Sequence, residues 1–281
     1  QFGNPDPALL NFVSQFNGPG ALYKAETFLI TSPEYHMKRL LAEGVGSCYY
    51  LGKVFRDGEL SPRHNPEFTM LEWYRVAYDL AQLMDEVVKL IQYLVEEPLE
   101  VEYFTYRDAF KTILGIDPFL LDLPELEAFI AKSGIEITFD FRTKDEALDL
   151  IVSHLIEPAF DPDKITLLSE YPASQASLSQ IVEKDGVYIG KRFEAYWQGL
   201  ELANGYEELT QSCEQKARFM IENEERQLFG MKPVPIDTLL LEVLNDLPFC
   251  SGVALGVDRL LMAKKRITDI NQVIPFGFES A

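Results

Sequence analysis

Two strand-like runs, Tyr49 to Arg56 and Glu67 to Arg75, enclose a polar stretch from Asp57 to Pro66. This arrangement limits the fold more than any other feature of the chain. Two strands around a loop of that length predict an antiparallel hairpin whose loop has a task beyond turning the chain. Strand side chains alternate faces, so Phe68, Met70, Glu72 and Tyr74 lie together while Thr69, Leu71 and Trp73 point the other way. One face therefore offers an aromatic plate, a carboxylate and a phenol. Arg56 ends the opposing strand, and Arg63 and His64 sit in the loop. A planar base needs a stacking surface, a phosphate needs guanidinium or imidazole donors, and an amino group needs acceptors. The same pattern also fits an ordinary half-buried hairpin with solvated charges.

Around the hairpin the chain reads as α+β, mostly antiparallel strands with helices to one side. The first twenty residues are loop-like and close with Gly18-Pro19-Gly20. A helix is predicted from Pro33 to about Ala42, with proline in its first turn. After the hairpin, Leu80, Leu83, Met84, Val87, Val88, Ile91 and Leu94 share one helical face behind Asp79 as N-cap. Residues 100–165 alternate short helices and turns, an insertion packed on the core with nothing catalytic in it. One helix there carries the capping box Thr143 to Glu146. Strand pattern returns from Arg192 to Leu209, broken by Gln198-Gly199, and a charged helix stops near Gly230. Ser251 to Ala263 reads as a short strand turning into a helix. The whole, residues 1–281, is taken as one domain.

Two more constellations carry chemistry. If Gln198-Gly199 is a two-residue turn, Tyr196 faces Glu201, and Glu194 is the diagonal neighbour of Glu201 on the same face. Diagonal neighbours lie roughly 7–8 Å apart, within reach of a shared ligand. Two carboxylates so placed repel unless a cation sits between them, and magnesium takes one or two carboxylates with phosphates completing its shell. Two glutamates facing water separately on an edge strand fit the pattern equally. The other constellation, Gly252 to Arg259, has small residues that permit close approach and an arginine that can reach a phosphate. Taken singly it says little, because glycine-rich strand ends are frequent.

Composition removes several classes. Three cysteines, Cys48, Cys213 and Cys250, and three scattered histidines offer neither a disulfide framework nor a zinc site, so any metal is held by oxygen. Acidic residues outnumber basic ones 45 to 25, and the net charge of −20 disfavours unassisted tRNA binding. Gln1 to Leu10 has neither the basic start nor the apolar core of a secretion signal, and no apolar run approaches a membrane span. A cytoplasmic protein is expected.

The segments Phe55-Arg56, Arg63 to Tyr74, and Gly252 to Arg259 resemble motifs 2 and 3 of class II aminoacyl-tRNA synthetases. Glu201 to Leu209 and Thr31 to Leu40 are similar to the lysyl branch of that family. Ser32 to Leu40, His64 to Arg75, Tyr171 to Gln180 and Cys250 to Arg259 resemble, more narrowly, its paralogues that ligate lysine analogues to elongation factor P. The resemblance covers nearly the whole chain and is weakest over residues 100–165.

It implies a six-stranded antiparallel sheet flanked by helices and ATP bound bent in a cleft. Arg56 would hold the α-phosphate and the substrate carboxylate, Phe68 would stack on adenine, and His64 and Arg259 would meet the outer phosphates. Asp57, Gly58, Asn65, Leu202 and Gly256 complete the implied ATP set together with Glu201. Glu194 and Glu201 would hold Mg2+. Ser32, Pro33 and Glu34 would take the substrate amino end and Asn204 its carboxylate. Glu72, Tyr74, Glu208 and Ala254 would line the side-chain pocket. Catalysis would then be positioning and charge neutralisation by Arg56 and Arg259 as the carboxylate attacks the α-phosphate. The implied substrate is a lysine analogue, (R)-β-lysine, and the implied acceptor is elongation factor P. The alternatives are the core of a true lysyl-tRNA synthetase and a non-catalytic amino-acid sensor.

Two departures from the family stand out. Arg56-Asp57-Gly58-Glu59 replaces Arg-Asn-Glu, so the Gly58 backbone or Glu59 must meet adenine. Motif 1, the family's homodimer element, is expected before residue 1.

Overall fold

The computed structural model describes residues 2–20 and 23–281; Gln1, the start of the N-terminal stretch read above, lies outside them. In chain order the elements are β1 (Val13–Gln15), β2 (Glu26–Phe28), α1 (Glu34–Ala42), β3 (Cys48–Phe55), β4 (Glu67–Val76) and α2 (Leu80–Val95). Next come β5 (Val101–Thr105), α3 (Tyr106–Ala109), α4 (Leu123–Ser133), α5 (Lys144–Ile151), β6 (Ile165–Pro172) and β7 (Ile181–Lys184). Last are β8 (Val187–Trp197), β9 (Leu200–Glu207), α6 (Ser212–Leu228), α7 (Thr238–Val243), β10 (Cys250–Gly256) and α8 (Val257–Lys265). They group into two compact units, Gln1–Leu83 with Glu208–Ala281, and Met84–Glu207.

The first unit is built on the predicted hairpin. β3 and β4 pair antiparallel with Lys53 opposite Thr69, and β10 pairs with the other edge of β4, Gly252 opposite Tyr74 and Ala254 opposite Glu72. With two partners β4 is a central strand, and Met70, Glu72, Trp73 and Tyr74 are all buried. A carboxylate in that run is the anomaly that marks the site, because charged groups are almost never fully buried without partners. The Asp258 carboxylate accepts from the Thr69 amide at 2.7 Å and so ties the first turn of α8 to β4. Helix α1 starts directly after Pro33 and packs on α7, while Tyr35 meets Phe219 of α6 with ring centroids 5.6 Å apart. The stretch read as loop at the N-terminus holds β1, which pairs with β2. Its residues are all exposed and only three long, so no hydrophobic alternation marks it.

The second unit carries β9-β8-β6-β5, with β7 also on β8. All pairs are antiparallel except β5 with β6. Beside the β1–β2 pair, the first unit's sheet has three strands, β3, β4 and β10, and the second unit has five, where the resemblance implied a six-stranded sheet. Tyr106, Phe110, Leu126, Ile130, Leu148, Ile151, Leu168, Tyr171 and Tyr196 form its core. Capping boxes open both α4 (Asp122 with Glu125) and α5 (Thr143 with Glu146), and left-handed Gly134 closes α4. Region 100–165 therefore does pack as helices, but it also supplies β5. The Leu80 to Val95 face is buried at Leu83, Val87, Val88 and Ile91, whereas Leu94 is exposed.

Candidate active site

The site residues of the first unit fall into two groups. In one, Arg259 on α8 donates through Nη2 to Nε2 of His64, and its Nε lies 3.5 Å from the Arg63 carbonyl. An imidazole nitrogen that accepts cannot also carry hydrogen, so Nδ1 holds it and donates to Ser61 Oγ at 2.8 Å. Burial lowers the His64 pKa, and Arg259, Arg56 and Arg63 lower it further against Glu59. The ring is thus neutral and backed by three guanidinium groups, a setting that attracts an anion. The Arg56 guanidinium lies 5.2 Å from the centre of the Phe68 ring, and Glu59 Oε1 sits 3.6 Å from Arg56 Nη1. Of the two candidates for the displaced motif 2 contact, Glu59 is therefore the one turned toward Arg56. Gly58 takes a positive φ of 77° and Asp57 is exposed, its amide bonded to the Leu10 carbonyl.

Asn65 does not present free groups. Its Nδ2 donates to the Glu67 carbonyl at 2.6 Å and its Oδ1 accepts from the Phe278 amide at 2.9 Å, which makes it a clasp on the loop. Gly256 is the N-cap of α8, and a methyl group there would meet nothing nearer than Arg259 Cβ at 3.7 Å.

The other group is a buried knot of charge. Glu34 from α1, Glu72 and Tyr74 from β4, and Glu208 just before α6 surround Lys38, whose Nζ is 2.6 Å from Glu34 Oε1 and 2.6 Å from Glu208 Oε2. Lys38 and Glu208 are 1% exposed and Glu72 is 2% exposed. Tyr74 donates its hydroxyl to Glu72 Oε1 at 2.7 Å, while Glu72 Oε2 is buried with no partner. Burial and then Glu34 push the Glu72 carboxyl well above the usual range. Burial also raises Glu208, against the pull of Lys38. Burial by itself would lower the Lys38 pKa, but Glu208 and Glu34 drive it up and keep the ammonium charged. Ser32 Oγ accepts from the Glu34 amide at 3.2 Å, Pro33 is buried beneath it, and Ala254 is half-buried opposite Glu72. Lys38 was missed in the sequence, although its i,i+4 spacing to Glu34 was a readable signal.

In the second unit, Gln198 and Gly199 form the expected turn with φ of 54° and 68°, and Tyr196 does face Glu201. One detail of the sequence reading is corrected. A bulge between Ala195 and Tyr196 places Glu194 opposite Asn204. Glu194 and Glu201 nevertheless line one cleft of about 510 Å³, with Asp149, Tyr171, Arg192 and Tyr196. Tyr171 donates to Glu194 Oε2 at 2.6 Å, Tyr196 donates to the same oxygen, and Arg192 pairs with Oε1. Asn204 Oδ1 is buried without a partner, and Leu202 is buried at the bulge. Phe139, Glu146, Asp149 and Glu157 also wall the cleft, so the 100–165 region is not confined to packing. Burial lifts the Asp149 carboxyl to about 6 against the pull of Arg192. Arg192 was recoverable from strand alternation with Glu194; Asp149 on α5 carried no local signal.

Among the described residues no group gathers three His, Cys, Asp or Glu side chains as a metal cage. Glu194 and Glu201 could offer magnesium, which binds through one or two carboxylates, two of the carboxylates of that cleft, with Arg192 already on Glu194 Oε1 and two tyrosine hydroxyls on its Oε2. No described helix is long and apolar enough to cross a membrane.

An α+β fold with a mostly antiparallel sheet, a guanidinium-rich loop beside an aromatic plate, and a buried cluster of carboxylates define a class II synthetase catalytic core. The chain belongs to the class II tRNA synthetases (D, K and N), whose family model matches residues 11–280. It is therefore a ligase of the class II aminoacyl-tRNA synthetase type, a family that uses ATP. It is 42% identical over 283 residues to the elongation factor P-(R)-beta-lysine ligase of Photorhabdus laumondii, covering 100% of this chain and 86% of that protein. The proteins of the same name from Pectobacterium atrosepticum and Proteus mirabilis are 43% and 44% identical, over 98% and 96% of this chain and 85% and 83% of theirs.

Proposed function

We propose that the chain joins (R)-β-lysine to AMP at the expense of ATP and then passes the acyl group to a lysine side chain of elongation factor P. The observation that carries the substrate is the charge count in the buried pocket. Glu34, Glu72 and Glu208 face a single ammonium from Lys38, and Glu72 Oε2 has no partner. A buried acceptor left bare costs free energy until a donor reaches it. A diamino acid brings two ammonium groups, one for each carboxyl that Lys38 does not offset, and Glu72, which burial keeps protonated, would release its proton to receive one. The names of the similar proteins agree with this chemistry.

In the first step a carboxylate oxygen of the amino acid attacks the α-phosphorus in line, an acyl–phosphate bond forms, and pyrophosphate leaves. Arg56 neutralises charge on the α-phosphate, while Arg259 and the neutral His64 receive the outer phosphates. Phe68 offers its ring to adenine. Glu194 and Glu201 would hold Mg2+, which would supply positive charge to offset anionic oxygens. In the second step the acceptor's ε-amino group attacks the acyl carbon, an amide forms, and AMP leaves. No side chain of the enzyme is acylated in either step.

Pyrophosphate exchange dependent on (R)-β-lysine, followed by a mass gain on elongation factor P, is the expected result. Exchange supported better by α-lysine, with tRNA charged and elongation factor P unmodified, would establish the lysyl-tRNA synthetase reading instead.

A further inference from the structure

Lys38 is nearly inaccessible, yet both of its partners are groups that the pocket offers to its substrate. An ammonium has three donors, and two of them are committed to Glu34 and Glu208. Glu72 is treated differently: Tyr74 takes one of its oxygens and the other stays bare. The division of labour among three carboxylates is therefore set by one lysine.

We infer that Lys38 is a positioning residue for amino-acid recognition: it pins Glu34 and Glu208 and offsets one carboxylate charge, leaving the unpartnered Oε2 of Glu72 for a substrate ammonium. The inference rests on the diamino-acid reading given above. A pocket so arranged selects for charge number as well as shape, because a neutral side chain leaves Glu72 bare and a third cation finds no carboxylate to meet it.

Removing the ammonium has a signature that loss of packing lacks. The groups facing Glu72 are Glu34 and Lys38 from α1, Glu208, Tyr74 on its own strand and Cys48 on β3. Burial, then Glu34 and Glu208, hold its proton on, while the Tyr74 hydroxyl and Lys38 help release it, and Lys38 is the cation among them. A substrate ammonium binds the ionised carboxylate, so KM for the diamino acid falls as pH rises through the ionisation of Glu72. Without Lys38, an opposite charge is gone and like charges remain, so this limb of the profile moves to higher pH.

The experiment measures KM and kcat for (R)-β-lysine by pyrophosphate exchange across the neutral to alkaline range. Lys38→Met keeps the apolar stem; it is expected to raise KM about tenfold, to lower kcat much less, and to displace the limb by about one pH unit. Lys38→Arg retains the charge and is expected to leave the limb where the wild type has it. If Lys38→Met does not fold, Lys38→Gln, which can still donate to the carboxylates, must show the same displacement. An unmoved limb in the neutral variant overturns the inference, as does equal displacement by Lys38→Arg. Failure of both neutral variants to fold also overturns it, because Lys38 is then a structural ion. Wild-type protein that supports no exchange with any diamino acid overturns the functional reading, which is a separate outcome.

Discussion

Replacing Gly252 by alanine should damage the pocket and the fold together. Gly252 lies on β10 directly opposite Tyr74, and a Cβ there would sit 2.3 Å from Tyr74 Cε1, 2.5 Å from Cδ1 and 2.6 Å from Glu208 Oε1. Real Cβ atoms essentially never approach within 3.0 Å, so something must move. Neither neighbour can move freely, since Tyr74 is 2% and Glu208 1% exposed. Forcing one methyl group into such packing costs about 1–3 kcal/mol. If the ring swings aside, its 2.7 Å hydrogen bond to Glu72 is lost as well. A bond to a carboxyl that burial keeps largely protonated contributes about 0.5–1.5 kcal/mol, so a total loss of about 1.5–4.5 kcal/mol is expected. If Glu208 yields instead, Lys38 loses a partner and KM for the amino acid rises at least tenfold by roughly the same energies. Urea denaturation reads the first quantity and pyrophosphate exchange the second. Gly256→Ala is the internal control for stability, because its nearest contact would be an ordinary 3.7 Å. Wild-type stability and KM in Gly252→Ala would refute the steric argument. Equal destabilisation by Gly256→Ala would show that the strand rejects any side chain, whatever its neighbours.

Three further outcomes are expected. Burial, then Asp6 and Glu225, lift Glu222 to about 8, and its Oε2 is buried without a partner. The folded chain keeps a proton there that the unfolded chain releases, so stability falls as pH rises from the usual carboxylate range to about 8. Glu222→Gln should gain about 1–3 kcal/mol on the wild type across that window, and melting curves with a pH-independent gap would exclude it. Arg259→Ala should raise KM for ATP tenfold or more by removing a charge-assisted contact of about 1.5–3 kcal/mol, while the melting temperature barely changes. An unfolded variant would instead make Arg259 structural. Ala254→Gly should improve α-lysine relative to (R)-β-lysine, since one methyl beside the substrate amounts to about 1–3 kcal/mol of selectivity. An unchanged ratio of kcat/KM values for the two isomers would remove Ala254 as selector.

How much of this was legible along the chain depended on the range of the interaction involved. The β3–β4 hairpin, the common face of Phe68, Glu72 and Tyr74, the turn at Gln198-Gly199 and the α5 capping box follow from backbone dihedral preferences and a side-chain period of two. Those are properties of neighbouring residues, so the sequence by itself determined them. The bulge that sets Glu194 against Asn204 was invisible, because one extra residue in a ladder leaves the local pattern unchanged. The parallel β5–β6 pair and the cleft wall at Asp149 also needed the fold, since strand partners and facing helices are chosen by packing over long separations. The Lys38 knot shows the difference most directly. Glu34 and Lys38 are one helical turn apart and could be paired by eye, but Glu72 and Glu208 reach them only after β4 and the segment before α6 close on α1. Only then does burial remove water from Glu72 and Glu208, raise their pKa values and leave one bare oxygen that calls for a cation.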